Sequence, residues 1–227
     1  MNNFIFDPLK YHEYAQKYFN LLQNEYKGIN LTAIDDFEQF FIKQIKDSTL
    51  PIEISSQFRL DLQNSSYILD VGFGGGFPIL PLAYTFKNKK FLGIESKEKK
   101  VRVVSEIAQL IEQKNIQLIH QRIENVIIDI PNLIVTFKAV GQAHEFLNKL
   151  NISKKTLGLK VYFYKGPSYD TEEKFYGNDR WKLIENKDFS FNELTRKIIG
   201  FELTAPIEPL AKNKPNLSTI NLSKLLR

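Results

Sequence analysis

Apolar residues recur at two different spacings along this chain, and the spacing changes after residue 60. Before that point they recur every three or four positions, which is the spacing of one helix face. Asp7 before Pro8 predicts the start of one helix and Asp36 predicts another, because an aspartate there accepts hydrogen bonds from free N–H groups. Gly28 predicts the end of the first helix. We therefore predict a helical extension over residues 1–60.

From Tyr67 onward, short apolar runs alternate with segments of helical spacing. The runs predict strands at 67–71, 90–95, 116–120, 132–137 and 157–165. Helices are predicted between them, near 78–86, 97–113 and 141–149. Such alternation is typical of a doubly wound, mostly parallel sheet. Later runs predict strands at 181–188, 198–204 and 217–222. Because no helix separates these late strands, they indicate an antiparallel hairpin that closes the sheet.

The length of 227 residues is enough for one large domain, or for a domain with an appendage. We expect an α/β, Rossmann-like core with a mostly parallel seven-stranded sheet over residues 61–227. This core is expected to fold as one unit with the helical extension.

A glycine loop joins the first predicted strand to the next helix, in residues 67–78, YILDVGFGGGFP. Such a loop brings N–H groups of a helix start close to a nucleotide-like ligand, because glycines leave no side chain in the way. Gly72, Gly74 and Gly76 do not match the dinucleotide fingerprint G-x-G-x-x-G, which needs glycine where Phe77 stands. That mismatch, with Asp70 just before the first glycine, favours S-adenosylmethionine over NAD.

Polar residues after the first three predicted strands complete a nucleoside site. Glu95 ends the second strand, where a carboxylate accepts both ribose hydroxyls; the alternative is a surface glutamate that starts a helix. Asp70 is placed for the cationic amino and sulfonium end of the ligand, for holding loop amides, or for both. After the third strand, Ile123 is placed to pack on adenine, and either Glu124 or a nearby backbone amide to bind its edge. Together these positions predict a binding site for S-adenosylmethionine, the cofactor of class I S-adenosylmethionine-dependent methyltransferases.

The composition excludes several kinds of chemistry. The chain has no cysteine, which excludes disulfides, thiolate metal sites and pyrimidine C5 methylation through a cysteine adduct. We expect no metal. There is no secretory signal and no apolar run of about 18 residues, so we expect a cytoplasmic protein without a membrane span.

A net charge of +5 fits either an ordinary solvated surface or a nucleic-acid footprint. Lys97, Lys99, Lys100 and Arg102 open the helix after the second strand and are candidates for binding RNA phosphates. The alternative for this group is a solvated helix face. Lys165 follows an apolar strand at the same edge of the sheet, where it either binds a phosphate or forms a structural ion pair.

Several segments together resemble the bacterial small-subunit ribosomal RNA methyltransferase G family, also called glucose-inhibited division protein B. Residues 29–34, INLTAI, are similar to the family's Asn-Leu-Thr signature. The best match is 69–78, LDVGFGGGFP, where Phe77 followed by Pro78 is unusual among methyltransferases at large. Further family segments resemble residues 95–102, 121–124 and 164–166.

The resemblance implies methyl transfer from S-adenosylmethionine to N7 of a guanine in 16S rRNA. The implied partner is naked 16S rRNA or a small ribosomal subunit particle, and we expect a monomer. The resemblance also implies cofactor contacts at Gly72, Phe77 and the Ile123–Glu124 pair.

Two positions depart from the family pattern. Gln44, in residues 44–48, QIKDS, stands where the family usually has histidine. Lys138 stands where the family has a cofactor-site arginine, and it keeps the charge but lacks the planar guanidinium fork. We therefore expect Lys138 to position the cofactor rather than to act as an acid or base. The alternatives are a methyltransferase acting on another RNA, a protein or a small molecule, and a cofactor-binding module without activity.

Overall fold

The computed structural model describes residues 7–29, 31–154, 156–204 and 219–226. In the described residues, four α-helices precede the first strand: α1 (Pro8–Gln23), α2 (Phe37–Phe40), α3 (Asp47–Ile54) and α4 (Ser56–Asn64). The segment Phe41–Lys46 between α2 and α3 is a π-helix, so residues 37–54 form one continuous helical stretch. Asn30 of the predicted Asn-Leu-Thr signature lies outside the described residues.

Both predicted helix starts are confirmed. The Asp7 carboxylate accepts two backbone N–H groups of the first turn of α1, and that of Asp36 accepts the N–H group of Gln39 at 2.8 Å. Helix α1 ends at Gln23 rather than at Gly28, because the hydrogen bonding then leaves the helical pattern and the chain continues in turns.

The described residues contain ten strands. In chain order they are β1 (Tyr67–Val71), β2 (Lys90–Glu95), β3 (Ile116–His120), β4 (Val126–Ile128), β5 (Leu133–Lys138), β6 (Asn151–Ile152), β7 (Lys160–Lys165), β8 (Trp181–Phe191), β9 (Leu194–Leu203) and β10 (Ile220–Asn221). Seven of them form one sheet in the order β3-β2-β1-β5-β7-β9-β8. The first five of these run parallel, and β9 runs antiparallel to both β7 and β8.

The predicted seven-stranded sheet and its closing hairpin are therefore confirmed. Strands β4, β6 and β10 form a separate small parallel sheet, which the sequence analysis missed because β4 and β6 have only three and two residues. The predicted strand at 217–222 is shorter in the described residues, where only Ile220 and Asn221 belong to a strand and Leu222 begins a 3-10 helix. Residues 217 and 218 lie outside the described residues, and Ile220–Asn221 pairs with β4 rather than with the main sheet.

Apolar residues fill both faces of the main sheet. The helices that alternate with the strands are α5 (Ile79–Thr85), α6 (Glu98–Leu110), α7 (Ala143–Lys149) and α8 (Tyr169–Glu172). One apolar cluster joins the N-terminal helices to α5 and α6, and the other joins α7 to the small sheet. No helix in the described part of the chain is long and apolar enough to cross a membrane.

The carboxyl ends of the five parallel strands meet at one edge of the sheet, where ligands bind in folds of this class. The β8–β9 hairpin continues past this edge, because the last β9 residue paired with β7 is Lys197 and β9 begins at Leu194. Phe189 and Phe191 of the hairpin pack in the same apolar cluster as the N-terminal helices. The helices and the hairpin therefore flank the edge that carries the glycine loop.

Candidate cofactor site

Three glycines give the loop after β1 its shape. Gly72, Gly74 and Gly76 have φ values of +73°, +55° and +88°, which other residues rarely adopt. The amide of Gly72 donates a hydrogen bond to the carbonyl of Ile94 at 2.7 Å and holds the loop against β2. A Cβ at Gly72 would meet no atom within 4 Å, whereas one at Gly76 would lie 2.6 Å from Leu80. The backbone is therefore open to a ligand at Gly72 and tightly packed at Gly76.

The Glu95 carboxylate links the glycine loop to the start of α6. Its Oε2 accepts a hydrogen bond from the Gly74 amide at 3.1 Å, and its Oε1 accepts one from the Lys97 amide at 3.0 Å. The Ser96 hydroxyl also donates to Oε1, at 3.3 Å. An ionised carboxylate offers about four acceptor positions. Glu95 therefore keeps capacity for a hydroxyl donor while it holds the loop.

Asp70 is buried at the end of β1. Its Oδ1 accepts a hydrogen bond from the Thr136 hydroxyl at 2.8 Å, while its Oδ2 has no hydrogen-bond partner among the described residues. Burial raises the pKa of the Asp70 carboxyl to about 7, although the Thr136 hydroxyl, the charge of Lys138 and the Ile79 backbone N–H all lower it. Because buried acceptors are normally satisfied, Oδ2 is a position at which a ligand N–H group would be stabilised.

The turn after β3 brings Ile123 and Glu124 to the same edge of the sheet. Both belong to the short 3-10 helix Ile123–Asn125, in which Ile123 is buried and Glu124 is exposed. The Gln121 amide donates to the Glu95 carbonyl at 3.1 Å and fixes this turn beside the end of β2. The residues predicted for adenine therefore lie next to the residue predicted for ribose.

Phe77 is enclosed by aromatic residues of the N-terminal helices. The Tyr18 ring stacks on it with a centroid distance of 5.3 Å, and the Phe40 ring meets it edge-on at 5.7 Å. The Tyr18 hydroxyl donates a hydrogen bond to the Gly75 carbonyl. The Phe77–Pro78 peptide bond is cis. No role was assigned to Tyr18 from the sequence, and its contact with the loop was not predicted.

Lys138 ends β5, and its ammonium group lies among oxygen atoms of the π-helical turn and the start of α3. Its partners are the Asp47 carboxylate at 2.9 Å and, at 3.3 to 3.4 Å, the Lys43 carbonyl, the Gln44 side-chain oxygen and the Ser48 hydroxyl. We call these four groups the ammonium cage. Burial lowers the pKa of Lys138, and the charge of Asp47 opposes that effect. The ammonium also lies 5.8 Å from the centroid of the Phe77 ring.

The cage brings together the two positions that depart from the family pattern, since Gln44 Oε1 lies 3.4 Å from Lys138 Nζ. Asp47 also accepts a hydrogen bond from Arg196 Nε, at 2.9 Å. No role was assigned to Asp47 or Arg196 from the sequence. A local pattern could not reveal the ion pair between Arg196 and Asp47, because 149 positions separate the two residues.

The predicted RNA-binding cations have different surroundings. Lys97, Lys99 and Arg102 are exposed, and Lys100 is partly buried with its Nζ 3.8 Å from where a Cβ of Gly74 would lie. Lys165 is buried and forms an ion pair with Glu173. For Lys165 the structure therefore contains the ion pair, the second of its two predicted roles.

A cavity of about 260 Å³ opens beside the Lys165 ion pair, at the ends of β5 and β7. Its lining comes from the two loops that follow these strands: Val140, Gly141, Gln142, Lys165, Gly166, Ser168, Tyr169, Glu172 and Glu173. The cavity is one strand away from Asp70 in the sheet order, on the side opposite Glu95.

Comparison with known proteins agrees with this architecture. Residues 11–199 match the model of a family described as rRNA small subunit methyltransferase G. The protein of that name from Leuconostoc citreum (strain KM20) is 33% identical over 114 residues, which are 50% of this chain and 46% of the relative. The one from Thermoanaerobacter sp. (strain X514) is 32% identical over 86% of this chain and 75% of the relative. The chain thus spans about half the length of the first curated relatives it matches.

Among solved structures, magnesium protoporphyrin IX methyltransferase from Synechocystis PCC 6803 with bound SAM superposes with a TM-score of 0.56. The identity is 15%, and the match covers 90% of this chain and all of that chain. At this identity the likeness concerns the fold alone, and it confirms the predicted class I methyltransferase architecture. The match over residues 11–199 shows more: the chain belongs to the rRNA small subunit methyltransferase G family.

Proposed function

We propose that this protein transfers a methyl group from S-adenosylmethionine to N7 of a guanine in 16S rRNA. The observation that carries the proposal is that Asp70 Oδ2 has no hydrogen-bond partner among the described residues and lies beside the open glycine at position 72. Membership of the rRNA methyltransferase family supports the acceptor, and the resemblance described above points to guanine N7.

The residues at the carboxyl edge fit the proposed cofactor. We propose that Glu95 binds the ribose hydroxyls, that Ile123 and Glu124 meet the adenine, and that Asp70 holds the amino end. Gly72, Gly74 and Gly76 would let the backbone approach the ligand, and Phe77 and Lys138 would form the remaining wall. When bound, S-adenosylmethionine supplies an electrophilic methyl group on a sulfonium sulfur.

The proposed reaction does not require the protein to transfer a proton. Guanine N7 carries an in-plane lone pair and no proton, so its methylation needs neither a general base nor a covalent nucleophile. The chain must align the two reactants and exclude water, and such positioning lowers a barrier by about 7–11 kcal/mol. A buried site built from Asp70, Phe77 and Lys138 suits this task. Lys138, held in its cage, is a positioning group in this scheme.

We propose that the RNA backbone lies along the start of α6, on Lys97, Lys99, Lys100 and Arg102. Three of these side chains are exposed next to the Glu95 end of the site, where phosphates would neutralise them. Lys165 would reach a phosphate only by exchanging its Glu173 partner for it. The partner in this proposal is 16S rRNA or the small ribosomal subunit in the cytoplasm, and the protein acts as a monomer.

The test is transfer of a labelled methyl group from S-adenosylmethionine to naked 16S rRNA, to intact small subunits and to free guanosine. We expect label in 7-methylguanine of the rRNA or the subunits, and little in the nucleoside. Glu95→Ala should lose this label, because both the ribose acceptor and a loop hydrogen bond disappear. Label in another base would support a different acceptor on the same fold, and no label in any substrate would contradict the proposal.

A further inference from the structure

The cavity beside the Lys165 ion pair lies next to the proposed cofactor site along the carboxyl edge of the sheet. The residues proposed for adenine, ribose and the amino end follow one another from β3 through β2 to β1, and β5 and β7 come next in the sheet order. The loops after β5 and β7 form the cavity. None of its lining residues takes part in the proposed cofactor contacts, so the cavity is available to the second reactant.

A buried network holds the two loops together around the cavity. The Lys165 ammonium donates to the Gly141 carbonyl in the first loop and to the Glu173 carboxylate after the second. Glu173 also accepts a hydrogen bond from the Ala143 amide, at 2.6 Å, where α7 begins. Only 8% of the Lys165 side chain and 9% of the Glu173 side chain are exposed. The cavity is therefore largely formed before a ligand binds, which lowers the cost of binding.

Strand β9 anchors the short helix α8 from the other side. The buried Lys197 ammonium forms an ion pair with the Asp170 carboxylate at 2.9 Å, and the Tyr176 hydroxyl donates to the same carboxylate at 3.0 Å. Asp170 stands two positions before Glu172, which lines the cavity. The hairpin therefore fixes the part of the chain that carries Glu172.

Two charged side chains of the cavity retain hydrogen-bonding capacity. An ammonium group has three N–H donors, and Lys165 uses two of them in the network. The rings of Phe163 and Tyr169, with centroids 5.6 and 5.9 Å from Lys165 Nζ, keep water away from the ammonium. The exposed Glu172 carboxylate forms no hydrogen bond or ion pair within the part of the chain that the structure describes. The cavity thus offers one donor and one carboxylate acceptor to a ligand.

Among the four RNA bases, guanine complements this pair of groups. Its Watson–Crick edge carries the acceptor O6 followed by two donors, N1–H and N2–H. A carboxylate can accept both donors in two parallel hydrogen bonds while an ammonium donates to O6. Adenine and cytosine would instead turn an unprotonated ring nitrogen toward the carboxylate, and uracil would turn its O2 toward it. The lining therefore favours guanine over the other three bases.

The charge and the size of the cavity fit a base better than a phosphate. Glu172, Glu173 and Lys165 give the lining a net charge of −1, which repels a phosphate and stabilises a neutral group that has N–H donors. The volume of about 260 Å³ lies just below the range of about 300–1,000 Å³ that is usual for pockets of drug-sized ligands. It therefore suits a single base.

We propose that this cavity binds the Watson–Crick edge of the acceptor guanine, with Glu172 accepting N1–H and N2–H and Lys165 donating to O6. This contact leaves N7 free to face the cofactor, and Glu172 determines the selection of guanine. The acceptor guanine is then unpaired or flipped out of its helix, since its pairing edge is occupied by the protein. The inference rests on the proposed function, because it states how the same reaction would select its base.

The test compares two RNA acceptors. One is the 16S rRNA, naked or in the subunit, and the other is the same RNA with the labelled guanosine replaced by inosine through splinted ligation. Inosine keeps N7, O6 and N1–H and lacks only the amino group at position 2. The wild-type protein should methylate the guanosine RNA with a kcat/KM about tenfold higher, as expected for one charge-assisted hydrogen bond. Glu172→Gln should reduce this ratio to within about twofold, because an amide cannot accept two N–H groups side by side.

Glu13→Gln is the matched control, because Glu13 is an exposed glutamate of α1 outside the cavity and the change removes the same charge. It should keep the wild-type ratio. Gly166→Ala tests the cavity independently, since a Cβ there meets no atom within 4 Å and its φ is not in the left-handed region. The added methyl group should obstruct the base, so methylation of both RNAs should fall while thermal stability and affinity for S-adenosylhomocysteine stay unchanged.

Three results would overturn the inference while the proposed function stands. They are equal methylation of both RNAs by the wild-type protein, an unchanged ratio in Glu172→Gln, and full activity in Gly166→Ala. Each would mean that the base binds elsewhere. If the wild-type protein methylates neither RNA, the proposed function itself is contradicted and the inference falls with it.

Discussion

The Tyr18 ring stacks on the Phe77 ring, with 20° between the ring planes, and its hydroxyl donates to the carbonyl of Gly75. A residue of the first helix thus packs on and hydrogen-bonds to the glycine loop. The contact joins a segment that precedes the sheet to the residues proposed for the cofactor. The N-terminal helices therefore pack directly on the loop that is proposed to hold the cofactor.

Tyr18→Phe should destabilise the protein, because it leaves the Gly75 carbonyl without its donor but keeps the ring. We expect the free energy of unfolding in urea to fall by about 1–3 kcal/mol, the usual cost of an unpaired buried group. Tyr14→Phe is a matched control, since the buried Tyr14 hydroxyl has no hydrogen-bond partner among the described residues. A Tyr14 variant as destabilised as the Tyr18 variant would contradict the assignment.

The proposed domain division, 1–60 and 61–227, leads to a prediction about folding. Because Tyr18 contacts the loop and Arg196 of the hairpin contacts Asp47 of α3, we expect the extension and the core to unfold together. Urea unfolding followed by far-ultraviolet circular dichroism and by tyrosine fluorescence should give coincident transitions. Two separated transitions would mean that the extension is an independent unit.

Asp70 predicts an unusual dependence of stability on pH. Burial raises its pKa from 3.8 to about 7, so the folded protein keeps a proton that the unfolded chain releases. The free energy of unfolding should therefore fall as pH rises from 4 to 7, by about 1.4 kcal/mol per unit at most from this group. Asp70→Asn keeps an acceptor for Thr136 and should remove this contribution.

The measurement is the difference in unfolding free energy between Asp70→Asn and the wild type at pH 5 and pH 7. The variant should gain relative stability between these values, because it cannot ionise. A difference that stays constant would mean that the carboxyl is already ionised at pH 5. Added S-adenosylhomocysteine should stabilise the wild type more than the variant at pH 7, since the proposal places an ammonium on Asp70.

Two glycines of the loop should respond differently to alanine. Gly72 has φ of +73° and open space around a Cβ, so Gly72→Ala should cost about 1–2 kcal/mol of backbone strain and obstruct the ligand. At Gly75 a Cβ would lie 2.7 Å from the Leu31 carbonyl oxygen, so an added methyl group would clash with the backbone of the chain itself. We expect Gly72→Ala to lose more affinity for S-adenosylhomocysteine, and Gly75→Ala to lose more thermal stability. The opposite ranking would contradict the open face at Gly72.

The basic start of α6 predicts a salt-dependent contact with RNA. Replacing Lys97, Lys99 and Arg102 by glutamine should weaken 16S rRNA binding and reduce the slope of log affinity against log salt by about 2, at about 0.7–0.9 per phosphate contact. The control replaces Lys87, Lys114 and Lys182, which are exposed and lie where strands begin rather than end. An equal loss of slope in both triple variants would mean that binding is non-specific.

Local sequence patterns were sufficient to predict the strands of the main sheet, because the residues of each strand form an apolar run of their own. The run at 67–71 and the glycines after it predict a strand, a tight loop and a helix start without reference to the rest of the chain. The ends of strands were harder to predict, as with β7, which begins at Lys160 rather than at 157. Strands of two or three residues, such as β6, leave no periodic signal at all.

The candidate site was predictable wherever a residue follows directly from a strand end. Asp70 and Glu95 were assigned roles from their positions alone, and the structure places both at the edge that carries the glycine loop. Tyr18 and Arg196 were assigned no role. Tyr18 contacts Gly75 and Arg196 contacts Asp47, and both contacts join distant parts of the chain.

By itself the sequence determined the α/β architecture, the glycine loop and the chemical types of residue at the strand ends. The tertiary structure alone decided the partners of Lys138. From the sequence we know only that Lys138 carries a positive charge. Because an unpaired charge is costly where water is excluded, the buried ammonium requires an oppositely charged partner. Folding supplies that group from Asp47, 91 positions earlier in the chain, and so decides which way the ammonium points.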